Sequence, residues 1–238
     1  MAFFILMAAQ TAGEASVLHW TSRILSMNCD NHPVAQRRST SEIPQLAYRQ
    51  EDSDVLTATR FEAERPFGQG AKLILGVCNG EVHILPAQTP GMLKITVQLG
   101  ASLHHEQTPK SYLQKFEISP ELTDIEWKLP SHSKPEINVY LPADANLDLN
   151  VGNSQLEVKG NRGNKRLDVG RGKACLYVAS GNTDFSRIAV DVAMGSFADL
   201  RPGGGENHKI PLHEEIQGSG TSTANVSVAM GKVEIVPE

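Results

Sequence analysis

The chain has 238 residues and a mass of 25.8 kDa, which fits one large all-β domain or two small ones. Apolar residues make up 40% and glycine contributes 20 positions, so a packed core is attainable and wholesale disorder or a collagen-like chain is excluded. With 22 basic against 27 acidic residues the net charge is −5, which lacks the basic face of a phosphate-backbone binder and excludes nucleic acid as an expected partner.

Residues 1–29 open with the apolar run Ala2–Ala9, and small residues follow up to Ala15. That pattern reads as an atypical signal peptide without a positively charged n-region, or as an ordinary apolar N-terminal segment. No run approaches the roughly 18 apolar residues of a spanning helix, so no transmembrane helix is expected. Residues 30–54 turn polar, with Pro33, Pro44 and the Arg37-Arg38 pair, and read as a linker too poor in apolar surface to offset its ordering entropy. The folded domain is expected over 55–238. Cys29, Cys78 and Cys175 show no CxxC spacing, which leaves neither a zinc knuckle nor a disulfide framework. Cys78 and Cys175 lie in apolar runs and read as buried thiols.

From residue 61 onward short alternating segments are broken by Gly, Pro and Asn, the signature of strands and turns. Expected strands include Lys72–Leu75, Glu81–Leu85, Leu93–Leu99, Tyr112–Ile118, Ile125–Leu129 and Ile137–Leu141. Four later segments then share one frame: apolar-x-apolar, a small residue, a variable residue, Gly or Ser, and renewed alternation. They begin at Leu149, Leu167, Val190 and Val226, and V-x-V-A-M-G occurs at both 190–195 and 226–231. A fifth copy is placed at Leu73–Ile84, with one or two extra residues in its turn. Each unit reads as two short strands joined by a tight turn, with Gly152, Gly172, Gly195 and Gly231 at the turns. One unit alone cannot bury its apolar face, so the expected fold is a single-stranded, right-handed β-solenoid, a toast-rack-like stack of coils. The stretch 201–222, with its Pro202-Gly203-Gly204-Gly205 tract, reads as a long polar loop on one face.

The run Ile137–Leu149, with its Leu141-Pro142-Ala143 end, followed by the glycine repeats, resembles the bacterial "putative adhesin" family of toast-rack β-solenoids. The resemblance covers about residues 61–238 and departs from the family pattern at Ser154, where the repeat glycine is expected. It implies an exported or envelope-associated location and a non-catalytic role.

Chemistry-bearing motifs are sparse. His104-His105-Glu106 and His208 with His213-Glu214-Glu215 carry metal-ligating residue types. Adjacent residues of a strand point to opposite faces, so these read as solvated loop side chains, and no metal or cofactor is expected. Gly218-Ser219-Gly220 lacks a nucleophile elbow, and Gly170-Arg171-Gly172 fails the dinucleotide fingerprint. Arg162, Lys165, Arg166, Arg171 and Lys173 cluster within two consecutive repeats and form a candidate binding stripe for an anionic polysaccharide, a lipid head group or an acidic protein. The expected function is therefore a non-enzymatic, exported scaffold or adhesin-like module, in the periplasm, on the cell surface or outside the cell. Its expected partner is an envelope protein or polysaccharide. The alternative is a regulatory or sensory envelope domain that binds a membrane protein.

Overall fold

The computed structural model describes residues 55–56, 60–68, 70–99, 111–119, 123–130 and 135–238, and for 55–56, 61, 78, 99, 111–119 and 123–130 the backbone alone. The N-terminal segment, the linker, the 104–106 cluster and the Cys78 side chain fall outside that description. The described residues form thirteen strands and no helix. The first six are β1 (Val55–Leu56), β2 (Arg60–Pro66), β3 (Lys72–Pro86), β4 (Met92–Leu99), β5 (Ser111–Ser119) and β6 (Thr123–Pro130). Then come β7 (Pro135–Leu141), β8 (Asn146–Val158), β9 (Lys165–Val178), β10 (Phe185–Asp199), β11 (Glu206–Asn207), β12 (Leu212–Gln217) and β13 (Ser222–Pro237). All belong to one open sheet in the order β1-β2-β4-β7-β3-β8-β9-β13-β10-β11, with β12 also on β10, β5 on β3 and β6 on β5. The all-β class holds.

Five long strands, β3, β8, β9, β13 and β10, run parallel side by side at the centre. Their registers superpose the sequence repeats: Val77, Val151, Val169, Val228 and Val192 are successive partners across the stack. Apolar side chains in such a line bury one another, and each is 0–1% exposed. The fifth copy sits two residues later than its expected frame. Leu75 pairs with Leu149 and Gly80 with Ser154, so the copy is Leu75-x-Val77-Cys78-Asn79-Gly80 and carries no extra residues.

The units differ from the expected two strands and a tight turn. Each is a single strand of 13 to 16 residues that continues through its glycine. What changes there is the parity of the alternation. In β8, Leu147, Leu149 and Val151 point inward, and then Leu156 and Val158 do, so the alternation slips by one residue. The same slip separates Val192 from Phe197 and Val228 from Val233. Gly80, Gly172, Gly195 and Gly231 stand at the slip with φ of 134°, 131°, 145° and 144°, a backbone region that favours glycine. Because both halves of every strand feed one core cluster, the sheet is creased along this line.

Gly152 does not belong to the crease: the β8 residue in register with Gly80 and Gly172 is Ser154. Its hydroxyl donates to the Gly80 carbonyl. A Cβ on Gly195 would overlap the Gly231 carbonyl, one on Gly231 the Gly172 carbonyl, and one on Gly172 the Ser154 carbonyl. The backbones therefore touch along the crease, and side chains are excluded from it.

Two further expectations change. The coils are not stacked in chain order, because β13 lies between β9 and β10. The stretch 201–222 is not an unstructured loop. It supplies β11 and β12, which close the two halves of the outer β10 edge by antiparallel pairing.

Candidate binding surface

The crease decides what the outside of the molecule offers. Just before each crease residue stands the variable position of the repeat, and across the stack these positions are Asn79, Asn153, Arg171, Met230 and Met194. Since the two halves fold inward around one core, their line is convex and forms a ridge. Polar residues occupy one end of it. At the other, Met230 is 41% and Met194 49% exposed, unusual for side chains this apolar. Ile210, 62% exposed, precedes β12 by two residues at the end where Leu212 pairs with Val192, so it leaves the sheet beside Met194. Two exposed cations flank these three apolar side chains: Arg171 on the strand next to Met230, and Lys209 next to Ile210. Among the described residues neither has a carboxylate within ion-pair distance.

Of the five basic residues singled out in the sequence, Lys165 is withdrawn from the surface and three others are ion-paired. Lys165 is 2% exposed. Its ammonium donates to Asn161 O at 2.8 Å, Asn161 Oδ1 at 2.6 Å and Gly163 O at 2.8 Å, and lies 4.4 Å above the Phe185 ring. Burial pushes its pKa down to about 7, against the pull of the Asp184 and Glu238 carboxylates. Arg162 pairs with Asp184 at 3.3 Å, Arg166 with Asp168 at 2.9 Å and Lys173 with Glu234 at 2.7 Å. Arg171 remains as the exposed, uncompensated member.

Several ionisable groups of β10 and the 201–222 stretch have polar partners close by. His213 Nδ1 lies 2.7 Å from Asp191 Oδ1, and this hydrogen bond raises the imidazole pKa above its ordinary value. Arg187 bonds Glu215, Asn207 donates to Glu214 at 2.6 Å, and His208 lies 3.6 Å from Glu206. Among the described residues no group of three or more His, Cys, Asp or Glu could hold a metal ion. Cys175 is 4% exposed although its strand position faces outward, covered beside Glu234 with Sγ 3.8 Å from Oε2. Burial raises its pKa, which keeps the thiol protonated and unreactive.

Sequence reasoning concentrated on charge and passed over Met194, Ile210 and Met230. The signal was present in the repeat itself: methionine at the variable, outward position of V-x-V-A-M-G, twice, where the other copies carry Asn or Arg.

The fold defines an all-β protein built, over its described residues, on a single open sheet of many strands. No family model matches the chain, and no curated protein matches it. Among solved structures, the crystal structure of a putative cell adhesion protein from Clostridium sporogenes ATCC 15579 aligns with 74% of this chain and 99% of that chain, at 14% identity and a TM-score of 0.40. A likeness of that degree leaves function to be argued from the surface itself.

Proposed function

We propose that this chain is a non-enzymatic, exported or cell-envelope binding module, a β-solenoid-like scaffold that presents a ligand-binding ridge. The observation that carries the reading is the exposed line Ile210, Met194 and Met230 with Arg171 and Lys209 at its ends. Solvated strand positions seldom hold methionine, and a contiguous apolar line with uncompensated charge beside it is what a contact surface requires. The superposed registers of the five central strands support the solenoid-like description, and the apolar Ala2–Ala9 run supports export. A glycan and envelope-protein binding screen tests the reading, run on the purified chain and on its Met194→Gln/Met230→Gln variant. Hits that the variant loses are expected. Hits that wild type and variant share equally would place binding elsewhere on the molecule.

A further inference from the structure

We propose that the ridge docks on an anionic lipid surface, with Ile210, Met194 and Met230 entering the interface and Arg171 and Lys209 meeting head groups. The proposal rests on the reading of the ridge as a binding surface and names its partner. The argument from shape comes first. A peptide partner needs a groove or an open strand edge to accept its side chains or backbone. This ridge is the outside of a fold. At Arg171 and Met230 it lies in the interior of the parallel stack, where strand N–H and C=O groups are paired on both sides. On the outer edge of β10 only residues 193–196 lie between the β12 and β11 pairings, too short a gap to accept an added strand. A convex line of flexible apolar side chains is instead suited to a soft, flat medium that closes around it.

Charge points the same way. Arg171 and Lys209 lie at opposite ends of the apolar line and have no carboxylate partner among the described residues, so both are free to meet phosphate. Lys232, next along β13 from Gly231, is already held by Glu234 at 3.3 Å and Glu206 at 3.4 Å, and it adds no free charge. The contact therefore rests on two cations and three apolar side chains. That makes it weak and reversible for one molecule, and dependent on both the charge of the membrane and ionic strength.

The test is flotation of the full chain with vesicles of phosphatidylcholine alone and of phosphatidylcholine mixed with phosphatidylglycerol, at low and raised salt. Wild type is expected to float with the anionic vesicles only, and to be released by salt. Because a basic residue near an anionic surface is worth about 1 kcal/mol, or fivefold, Arg171→Gln/Lys209→Gln should partition roughly 30-fold less. Met194→Gln/Met230→Gln should also lose partitioning, with an unchanged melting temperature. The apolar N-terminal segment is common to all variants, so equal flotation of wild type and both variants would overturn the proposal. So would absence of wild-type flotation. If vesicles fail while an acidic polypeptide such as polyglutamate binds in a ridge-dependent way, the lipid proposal falls and the ridge keeps its binding role.

Discussion

The glycines of the crease are held by contact as well as by conformation. A Cβ on Gly231 meets the backbone carbonyl of Gly172, and the backbone at φ 144° is strained for any other residue. Strain of about 1–3 kcal/mol adds to an overpacking cost of similar size. Gly231→Ala should therefore lose about 2–6 kcal/mol in denaturant melts. Gly76 is the internal control, because nothing lies within 4 Å of a Cβ there and its φ is not in the glycine region. Gly76→Ala should be neutral or stabilising by up to about 1 kcal/mol. Equal costs at both positions would show that the crease is not a contact line. Lys165 gives a second test, by pH. Its pKa lies near 7 in the folded chain and at the ordinary 10.5 when unfolded. Between those values the unfolded chain holds a proton that the folded chain lacks, so stability climbs as pH rises from about 7 to 10.5. Lys165→Met should flatten that climb and, by leaving three buried oxygens without a donor, cost at least about 2 kcal/mol. Urea melts across that pH range read both effects.

At the scale of the strand, the decisive event is the one-residue slip of alternation. Strict alternation from Leu147, Leu149 and Val151 would carry on to Gln155 and Glu157; the strand instead buries Leu156 and Val158. Leu156→Ala should cost about 2–5 kcal/mol. Gln155→Ala, which removes a side-chain bond to Glu157, should cost within about 1 kcal/mol. A reversed order of effects in thermal or urea melts would mean that the second half of β8 faces the other way. Much of this was legible in the residues. The shared frame aligned Val151, Val169, Val192 and Val228, and those residues are partners in the stack. Glycine reads equally well as a hairpin turn or as a bend within one strand, because both exploit positive φ, and local sequence does not separate them. The misplaced fifth copy has a similar cause. Leu73-x-Leu75-Gly76 mimics the frame, and only the pairing of β3 with β8 selects Leu75-x-Val77-Cys78. The buried Lys165 escaped for a different reason: the Phe185 ring that covers it lies twenty residues on, while the nearby Arg162 and Arg166 made it read as one of a basic run.

On the scale of the whole molecule, the place of β13 outweighs that of any other strand. Val226, Val228, Val233 and Ile235 are fully buried between β9 and β10. At about 1.5–3 kcal/mol each they contribute roughly 6–12 kcal/mol, comparable with the whole stability of an ordinary domain. A chain ended after Gly220 should show no cooperative thermal transition and should bind hydrophobic dyes, whereas melting within a few degrees of the full chain would mean that β9 and β10 close on each other unaided. The inserted strand also has a consequence for how the protein is made. Translation delivers β10 and its cover β12 before β13 exists, yet β10 has no seat on β9 until residues 222–237 have left the ribosome. The nascent chain must hold an apolar strand in waiting rather than add coils as they emerge. Vectorial, coil-by-coil assembly, open to a stack in chain order, is thus closed to this one, and the facing edges of β9 and β10 wait unpaired until β13 arrives.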